Sequence, residues 1–109
     1  MSIPVALDEL GAALADRPWG YLLTVRDDGR AQSLAVPTRW VDGALRADVG
    51  RGTAANLTAR PHVSVVFPGA TGAEYSLIVD GDATVADGVA TIAPTWAVLH
   101  RPALPAPDA

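Results

Sequence analysis

The apolar positions of this chain follow a helical spacing at first and an alternating spacing afterwards. The helical part covers residues 2–16, where four apolar side chains lie close to one face: Ile3, Leu7, Leu10 and Leu14. Ser2 is placed to cap this helix, and Pro4 falls in its first turn, where a missing N–H is tolerated. We therefore predict an N-terminal helix that lies over a sheet and ends before Pro18.

From Trp19 onward, apolar and polar positions alternate with the period of β-strands. This alternation predicts six strands, over 19–26, 30–41, 44–49, 62–67, 75–86 and 89–99. Three connections between them contain the Asp-Gly pair that is typical of tight hairpin turns, at 28–29, 42–43 and 87–88. Pro37, Gly81 and Pro94 interrupt the predicted strands. We expect an edge, a bulge or a sharp bend at these positions.

One connection between strands is helical. A short helix over 53–59 follows the strand that ends at Val49, and it stops at Arg60 because the next residue is a proline. Strands joined by tight turns, with a single crossover helix, favour a closed antiparallel barrel over a βαβ sheet. We therefore predict a mainly β fold, a six-stranded antiparallel barrel with two short helices. It forms one domain over 1–101, followed by a flexible C-terminal tail over 102–109.

Composition and charge narrow the possible functions. The chain of 109 residues has a net charge of −4 at pH 7 and no basic run, so the charge pattern of a nucleic-acid-binding protein is missing. The absence of cysteine excludes disulfides, thiolate metal sites and a cysteine nucleophile. Neither an apolar segment of membrane-spanning length nor the basic start of a signal peptide is present. We therefore expect a cytoplasmic protein with no nucleic-acid or membrane partner.

The strongest candidate chemistry lies in the turn over residues 49–56. Arg51 stands there between Gly50 and Gly52, directly before the predicted helix. A helix N-terminus offers unpaired backbone N–H groups and about half a positive charge, and an arginine adds a forked set of donors. Such a turn is suited to hold a phosphate. The alternative is that Thr53 merely caps the helix and the turn binds nothing.

Other polar residues carry weaker alternatives. His62 and His100 are the only histidines, and their separation argues against a paired metal site, so each is predicted to be a surface or capping residue. Asp80 and Asp82 share one face of a strand, which is either a cation site or a solvated face. No serine has a histidine partner at a motif spacing, so a serine hydrolase is unsupported.

A succession of short segments carries a resemblance to a known family. These segments are Asp27-Asp28-Gly29-Arg30, Val36-Pro37, Arg51-Gly52-Thr53-Ala54-Ala55-Asn56-Leu57 and Arg60-Pro61-His62-Val63-Ser64. Their order over residues 3–100 resembles the pyridoxamine 5′-phosphate oxidase-like family of FMN-binding split barrels, and residues 94–102 resemble the end of a small bacterial subgroup with no settled activity. The resemblance implies a homodimer with two FMN sites in clefts between its subunits.

The resemblance also implies which residues hold the cofactor. The set consists of Val36, Pro37, Thr38, Arg39, Val49, Gly50, Arg51, Thr53 and Asn56. The first four would run beside the isoalloxazine ring, and the rest would hold the phosphate and ribityl chain. Thr53 stands where family members commonly carry a basic residue. The phosphate would therefore depend on Arg51, the Thr53 hydroxyl and the helix start.

Three larger side chains near the implied cleft have two interpretations each. Arg39 either neutralises charge on a reduced flavin or an anionic substrate, or is a surface arginine. Trp40 and Trp96 either cover the flavin ring or pack in the barrel core or a dimer interface. The sequence leaves these alternatives open.

The resemblance implies a flavin-dependent oxidoreductase that acts on a small-molecule substrate. The cofactor would carry the redox chemistry, so no catalytic side chain and no metal is predicted. The alternative is a small non-catalytic binding protein on the same fold. It would carry or sense a flavin, the deazaflavin F420 or haem, or bind nothing.

Overall fold

Eight strands and two helices occupy residues 1–104, the part of the chain that the computed structural model describes. The strands are β1 (Ser2–Pro4), β2 (Trp19–Val25), β3 (Ala31–Pro37), β4 (Arg39–Val41), β5 (Ala44–Asp48), β6 (His62–Phe67), β7 (Ser76–Ala86) and β8 (Val89–His100). The helices are α1 (Leu10–Leu14), which follows a 3₁₀ turn at Leu7–Glu9, and α2 (Arg51–Ala59). Residues 105–109 of the predicted tail over 102–109 lie outside the described part.

The strands form one antiparallel sheet in the order β3-β2-β6-β7-β8-β5-β4, with β1 paired to β8. The first and last strands of this order, β3 and β4, are consecutive in sequence and are joined through Thr38. The sheet therefore curls back towards its own edge. This confirms the predicted mainly β, antiparallel split-barrel class. The six predicted strands are present, one of them is divided in two, and β1 is additional.

The interruptions at Pro37 and Gly81 lie where the sequence placed them. β3 pairs with β2 and ends at Pro37, whereas β4 pairs with β5, and the N–H of Thr38 between them donates to the carbonyl of Pro18 at 3.0 Å. In β7 the register shifts between Asp80 and Gly81. A Cβ atom on Gly81 would lie 2.5 Å from the carbonyl oxygen of Ala93, so only glycine fits this bulge.

The predicted helix over 2–16 is wrong in its first part. Ser2–Pro4 form β1, which pairs with the end of β8, and the N–H of Val5 donates to the carbonyl of Ala97 at 2.9 Å. The Ser2 hydroxyl lies 3.0 Å from Nδ1 of His100 and caps no helix. The edge of β8 supplies backbone partners that local spacing cannot reveal, and these partners override the helical pattern.

The core lies on the inner face of the curled sheet and is covered by both helices. Its fully buried members include Leu22, Leu45, Val65, Phe67, Leu77, Val79 and Ile92 from the strands, Leu10 from α1 and Leu57 from α2. The alternation predicted for β2 is confirmed, because Gly20, Leu22 and Thr24 are buried while Trp19 and Tyr21 on the opposite face are exposed. The outer face of the sheet thus keeps large apolar side chains in solvent.

No helix between residues 1 and 104 is long and apolar enough to cross a membrane.

Candidate functional site

The helix in the candidate phosphate turn begins two residues earlier than predicted. α2 starts at Arg51, Gly50 is its N-cap residue, and no side chain in the described part of the chain caps it. The alternative that Thr53 caps the helix is therefore wrong, because glycine is accepted at the N-cap and the N–H of Ala54 already donates to the carbonyl of Gly50 at 2.9 Å. This is the first hydrogen bond of the helix. The backbone N–H groups of the helical residues before Ala54 therefore have no partner within the helix.

The space around this helix start is open. A Cβ atom on Gly50 or on Gly52 would meet no atom of residues 1–104 within 4 Å. Arg51 is exposed, and within residues 1–104 its side chain makes neither a hydrogen bond nor an ion pair. An arginine and several backbone donors thus face an accessible region. Anions bind at helix N-termini that have this arrangement.

The two other residues predicted for this turn face inward. Thr53 and Asn56 are buried, with exposed fractions of 6% and 8%. The side-chain amide of Asn56 donates to Oγ1 of Thr24 at 3.2 Å and to Oε1 of Gln32 at 3.0 Å. Asn56 therefore positions α2 against β2 and β3.

A cleft of about 430 Å³ lies beside the start of α2, and it is lined by Arg26, Asp27, Asp28, Gln32, Gly52 and Asn56. Its two carboxylates have arginine partners. Asp27 lies 2.7 Å from Arg60 and Asp28 lies 3.2 Å from Arg26. These pairs offset the negative charge that would otherwise oppose an anion near the helix start.

The segment predicted to run beside a flavin ring, Val36–Arg39, comes close to the turn at one point. Nη2 of Arg39 lies 3.5 Å from Oδ1 of Asp48, which directly precedes Val49. Within the segment, Val36 is half-buried against the core, Pro37 has no N–H, and the N–H of Thr38 is already used by Pro18. The structure therefore brings the end of this segment next to the start of the turn.

The two tryptophans differ in their surroundings. Trp40 packs on α1, where a Cβ atom on Gly11 would lie 2.8 Å from its Nε1. It also contacts the hydrophobic core, so the core interpretation is confirmed for this residue. Trp96 is 52% exposed and lies opposite Asp80 on the outer face.

The polar residues of β6 and β7 form separate pairs. Nδ1 of His62 hydrogen-bonds to the carboxylate of Asp82, and the hydroxyl of Ser64 donates to Asp80 at 2.6 Å. Asp80 and Asp82 thus have different partners and do not converge on one point. Within residues 1–104, no group of three or more histidine and acidic side chains is placed to hold a metal ion.

Sequence reasoning missed Arg46 of β5. This residue lies opposite Arg39 of β4, and its Nε is buried without a hydrogen-bond partner in the described part of the chain. A signal for the pairing was present, because a two-residue turn at Asp42-Gly43 places residue 39 opposite residue 46. The burial of Nε depends on packing between strands, and no sequence motif indicates it.

Two proteins of known sequence are similar to this chain over most of its length. No family model matches it. The uncharacterised proteins Mb0449c of Mycobacterium bovis and MT0457 of Mycobacterium tuberculosis are each 36% identical to it. The alignment covers 93% of this chain and 83% of each relative.

Solved structures share its fold at lower sequence identity. A FAD-binding protein from Mesorhizobium loti has a TM-score of 0.72 and 17% identity, covering 91% of this chain and 96% of that one. A proposed pyridoxamine 5′-phosphate oxidase from Listeria innocua has a TM-score of 0.71 and 16% identity, covering 85% and 96%. An F420 reductase has a TM-score of 0.62 and 22% identity, covering 76% and 91%. The likeness is one of fold.

Proposed function

Because this chain belongs to the family of the mycobacterial protein Mb0449c and has the split-barrel fold of the pyridoxamine 5′-phosphate oxidase-like proteins, we propose that it binds a flavin. FMN is the flavin that we propose, with its phosphate at the start of α2 and its ring beside Val36–Arg39. The residues of this site are those predicted from the sequence, with Thr53 and Asn56, which face inward, acting through the position of α2.

The observation that carries the proposal is the open start of α2. Among the described residues, Arg51 has no partner, no side chain caps the helix, and no atom stands within 4 Å of the Cβ positions at Gly50 and Gly52. A hydrogen bond to a charged group contributes about 1.5–3 kcal/mol. Two or three of them reach micromolar affinity, about −8 kcal/mol, only if the ring is buried as well.

We propose that the chain forms a homodimer, in which a second copy adds surface that buries the ring. The outer face of the sheet exposes Trp19 and Tyr21, with exposed fractions of 43% and 40%. Large aromatic side chains of this kind are enriched in protein interfaces. A second copy that covers this face would create the clefts between subunits in which the two flavins lie.

The activity that we propose is that of a flavin-dependent oxidoreductase with a small-molecule substrate. The cofactor supplies the electron transfer, and the chain's own residues bind its phosphate, hold its ring and exclude water. A second candidate is a carrier of a flavin or deazaflavin without turnover. The observation that favours it is Thr53, which is buried at the position where a basic residue would otherwise reach the phosphate.

The test is a titration of the purified protein with FMN, followed by absorption and flavin fluorescence, with F420 titrated in parallel. Saturable quenching of FMN fluorescence with one site per chain supports flavin binding. Reduction of the bound flavin by NADH or NADPH, with reoxidation by an added acceptor, supports the oxidoreductase over the carrier. A dimer that leaves the spectra of both ligands unchanged contradicts the whole proposal.

A further inference from the structure

Two arginines lie directly opposite each other on the outer face of the sheet. Arg39 of β4 pairs with Arg46 of β5, and Arg46 in turn pairs with Thr91 of β8, which lies opposite Thr84 of β7. Residues that are directly opposite in an antiparallel pair share a face. The four side chains therefore form a row of two guanidinium groups and two hydroxyls across four strands.

This row carries positive charge that residues 1–104 neutralise only in part. Like charges opposite each other on neighbouring strands are destabilising. Within residues 1–104, the one carboxylate in ion-pair contact with the two arginines is Asp48, which lies 3.5 Å from Arg39 and whose side chain is 80% exposed. Arg46 has no ion-pair partner in that part of the chain, although acidic residues outnumber basic ones by 12 to 8.

Arg46 also contains a buried donor that no residue between 1 and 104 satisfies. Its Nε is buried and has no hydrogen-bond partner among the described residues, whereas the guanidinium of Arg17 donates to two backbone carbonyls, at 3.0 and 3.1 Å. A buried donor without an acceptor costs free energy, and such groups are rare in folded proteins. Burial closes Nε itself to a ligand, so an acceptor from another molecule would contact Arg46 through its two terminal guanidinium nitrogens, which make no hydrogen bond or ion pair with the described residues.

We propose that Arg39, Arg46 and Thr91 form a binding site for a phosphate or carboxylate group of a small molecule. A guanidinium presents a planar fork of donors that matches both groups, and two such forks offset the charge of a doubly negative anion. The inference goes beyond the proposed function, because the site needs no flavin in order to bind an anion. The anion belongs either to the flavin itself or to a second small molecule.

The primary experiment uses inorganic phosphate and the protein without flavin. Phosphate is titrated against chloride at constant ionic strength, and binding is followed by the melting temperature and by the ¹H–¹⁵N resonance of the Arg46 Nε–H group. We expect saturable shifts in the wild-type protein. We expect Arg46→Gln to weaken phosphate binding tenfold or more. Without phosphate, this variant should melt at or above the wild-type temperature, because it loses an unpaired charge.

Arg30→Gln is the matched control. Arg30 is exposed on the turn between β2 and β3, and its side chain makes no hydrogen bond or ion pair with the described residues, so its replacement changes the net charge equally. Arg39→Gln is the second variant of the site and tests it if Arg46→Gln folds poorly. Wild-type phosphate affinity in both site variants, or equal weakening in the control, would overturn the site.

Titration with FMN and with riboflavin, which lacks the phosphate, identifies the source of the anion. If Arg46→Gln weakens FMN but not riboflavin, the site holds the phosphate of the flavin. If it weakens inorganic phosphate but leaves both flavins unchanged, the site holds an acidic group of a second molecule. A wild-type protein that binds phosphate through Arg46 but ignores FMN would retain this site and remove the proposed function.

Discussion

The side-chain amide of Asn56 donates a hydrogen bond of 3.0 Å to Oε1 of Gln32, and this contact ties α2 to the edge strand β3. β3 pairs only with β2 in the described sheet, so this contact adds a second attachment for it. The same amide also donates to Thr24 at 3.2 Å. Through these bonds the position of the helix start depends on a residue that needs no direct contact with a ligand.

We expect Asn56→Ala to lower the free energy of unfolding by about 2–3 kcal/mol, because it removes two hydrogen bonds and leaves the buried Thr24 hydroxyl without this donor. Urea denaturation followed by circular dichroism measures the change. Gln32→Ala removes only one of the two bonds, at a half-buried position, and should cost about 1 kcal/mol. Equal stability of Asn56→Ala and wild type would show that the amide does not hold the helix.

We expect Gly11→Ala to destabilise the protein by about 1–3 kcal/mol, because the added methyl group would lie 2.8 Å from Nε1 of Trp40. Thermal unfolding measures the loss, and a change in tryptophan emission reports the displaced ring. Gly52→Ala is the matched control, since its Cβ meets no described atom within 4 Å and its backbone is already helical. The control should be stabilised by about 0.5–1 kcal/mol.

We also expect the control variant Gly52→Ala to bind FMN differently from the wild type. Gly52 lies in the first turn of α2, and we place the phosphate against that turn. A methyl group there fills space that the phosphate would approach, so Gly52→Ala should bind FMN more weakly while unfolding at a higher temperature. Stability and affinity that change in opposite directions indicate a glycine retained for binding. An unchanged affinity would place the phosphate away from Gly52.

The parts of the fold that follow from local chemistry were predictable. Asp42 and Gly43 have φ angles of 52° and 78°, and Asp87 and Gly88 have φ angles of 52° and 74°. Two consecutive positive φ angles are what an Asp-Gly hairpin turn requires. These turns fixed both the hairpins and their registers. Pro37 and Gly81 were predictable in the same way, because one lacks a donor and the other lacks a Cβ atom.

The parts that depend on distant partners were not predictable. β1 exists because the edge of β8 lies beside it, and Ser2 and His100 are far apart in sequence. For Asn56, the resemblance indicated a ligand contact, whereas the inward direction of its amide is set by Thr24 and Gln32. The missing partner of Arg46 likewise arises from packing between strands and has no counterpart in the local sequence.

We expect Tyr21→Glu to convert the proposed dimer into a monomer without unfolding it. Tyr21 lies on the outer face, 40% exposed, with its ring 5.3 Å from that of Trp19 in an edge-to-face arrangement. A charge at this position would be buried in the interface without a partner. Light scattering gives the mass, and circular dichroism checks the fold. Ala12→Glu on the exposed side of α1 is the control and should keep the wild-type mass.

We expect Arg51→Ala to raise the Kd for FMN tenfold or more, because a lost charge-assisted hydrogen bond contributes at least the 1.4 kcal/mol that corresponds to a factor of ten. Its unfolding should match that of the wild type, since the side chain is exposed and has no partner in residues 1–104.

Riboflavin provides the internal control for this prediction, because it has the ring and ribityl chain but no phosphate. Its affinity should be the same for the wild type and Arg51→Ala, and Arg30→Ala should leave both ligands unaffected. If Arg51→Ala weakens both ligands equally, Arg51 contacts the ring or shapes the cleft. If it weakens neither, the phosphate lies elsewhere, and the pair Arg39 and Arg46 becomes the next place to test for it.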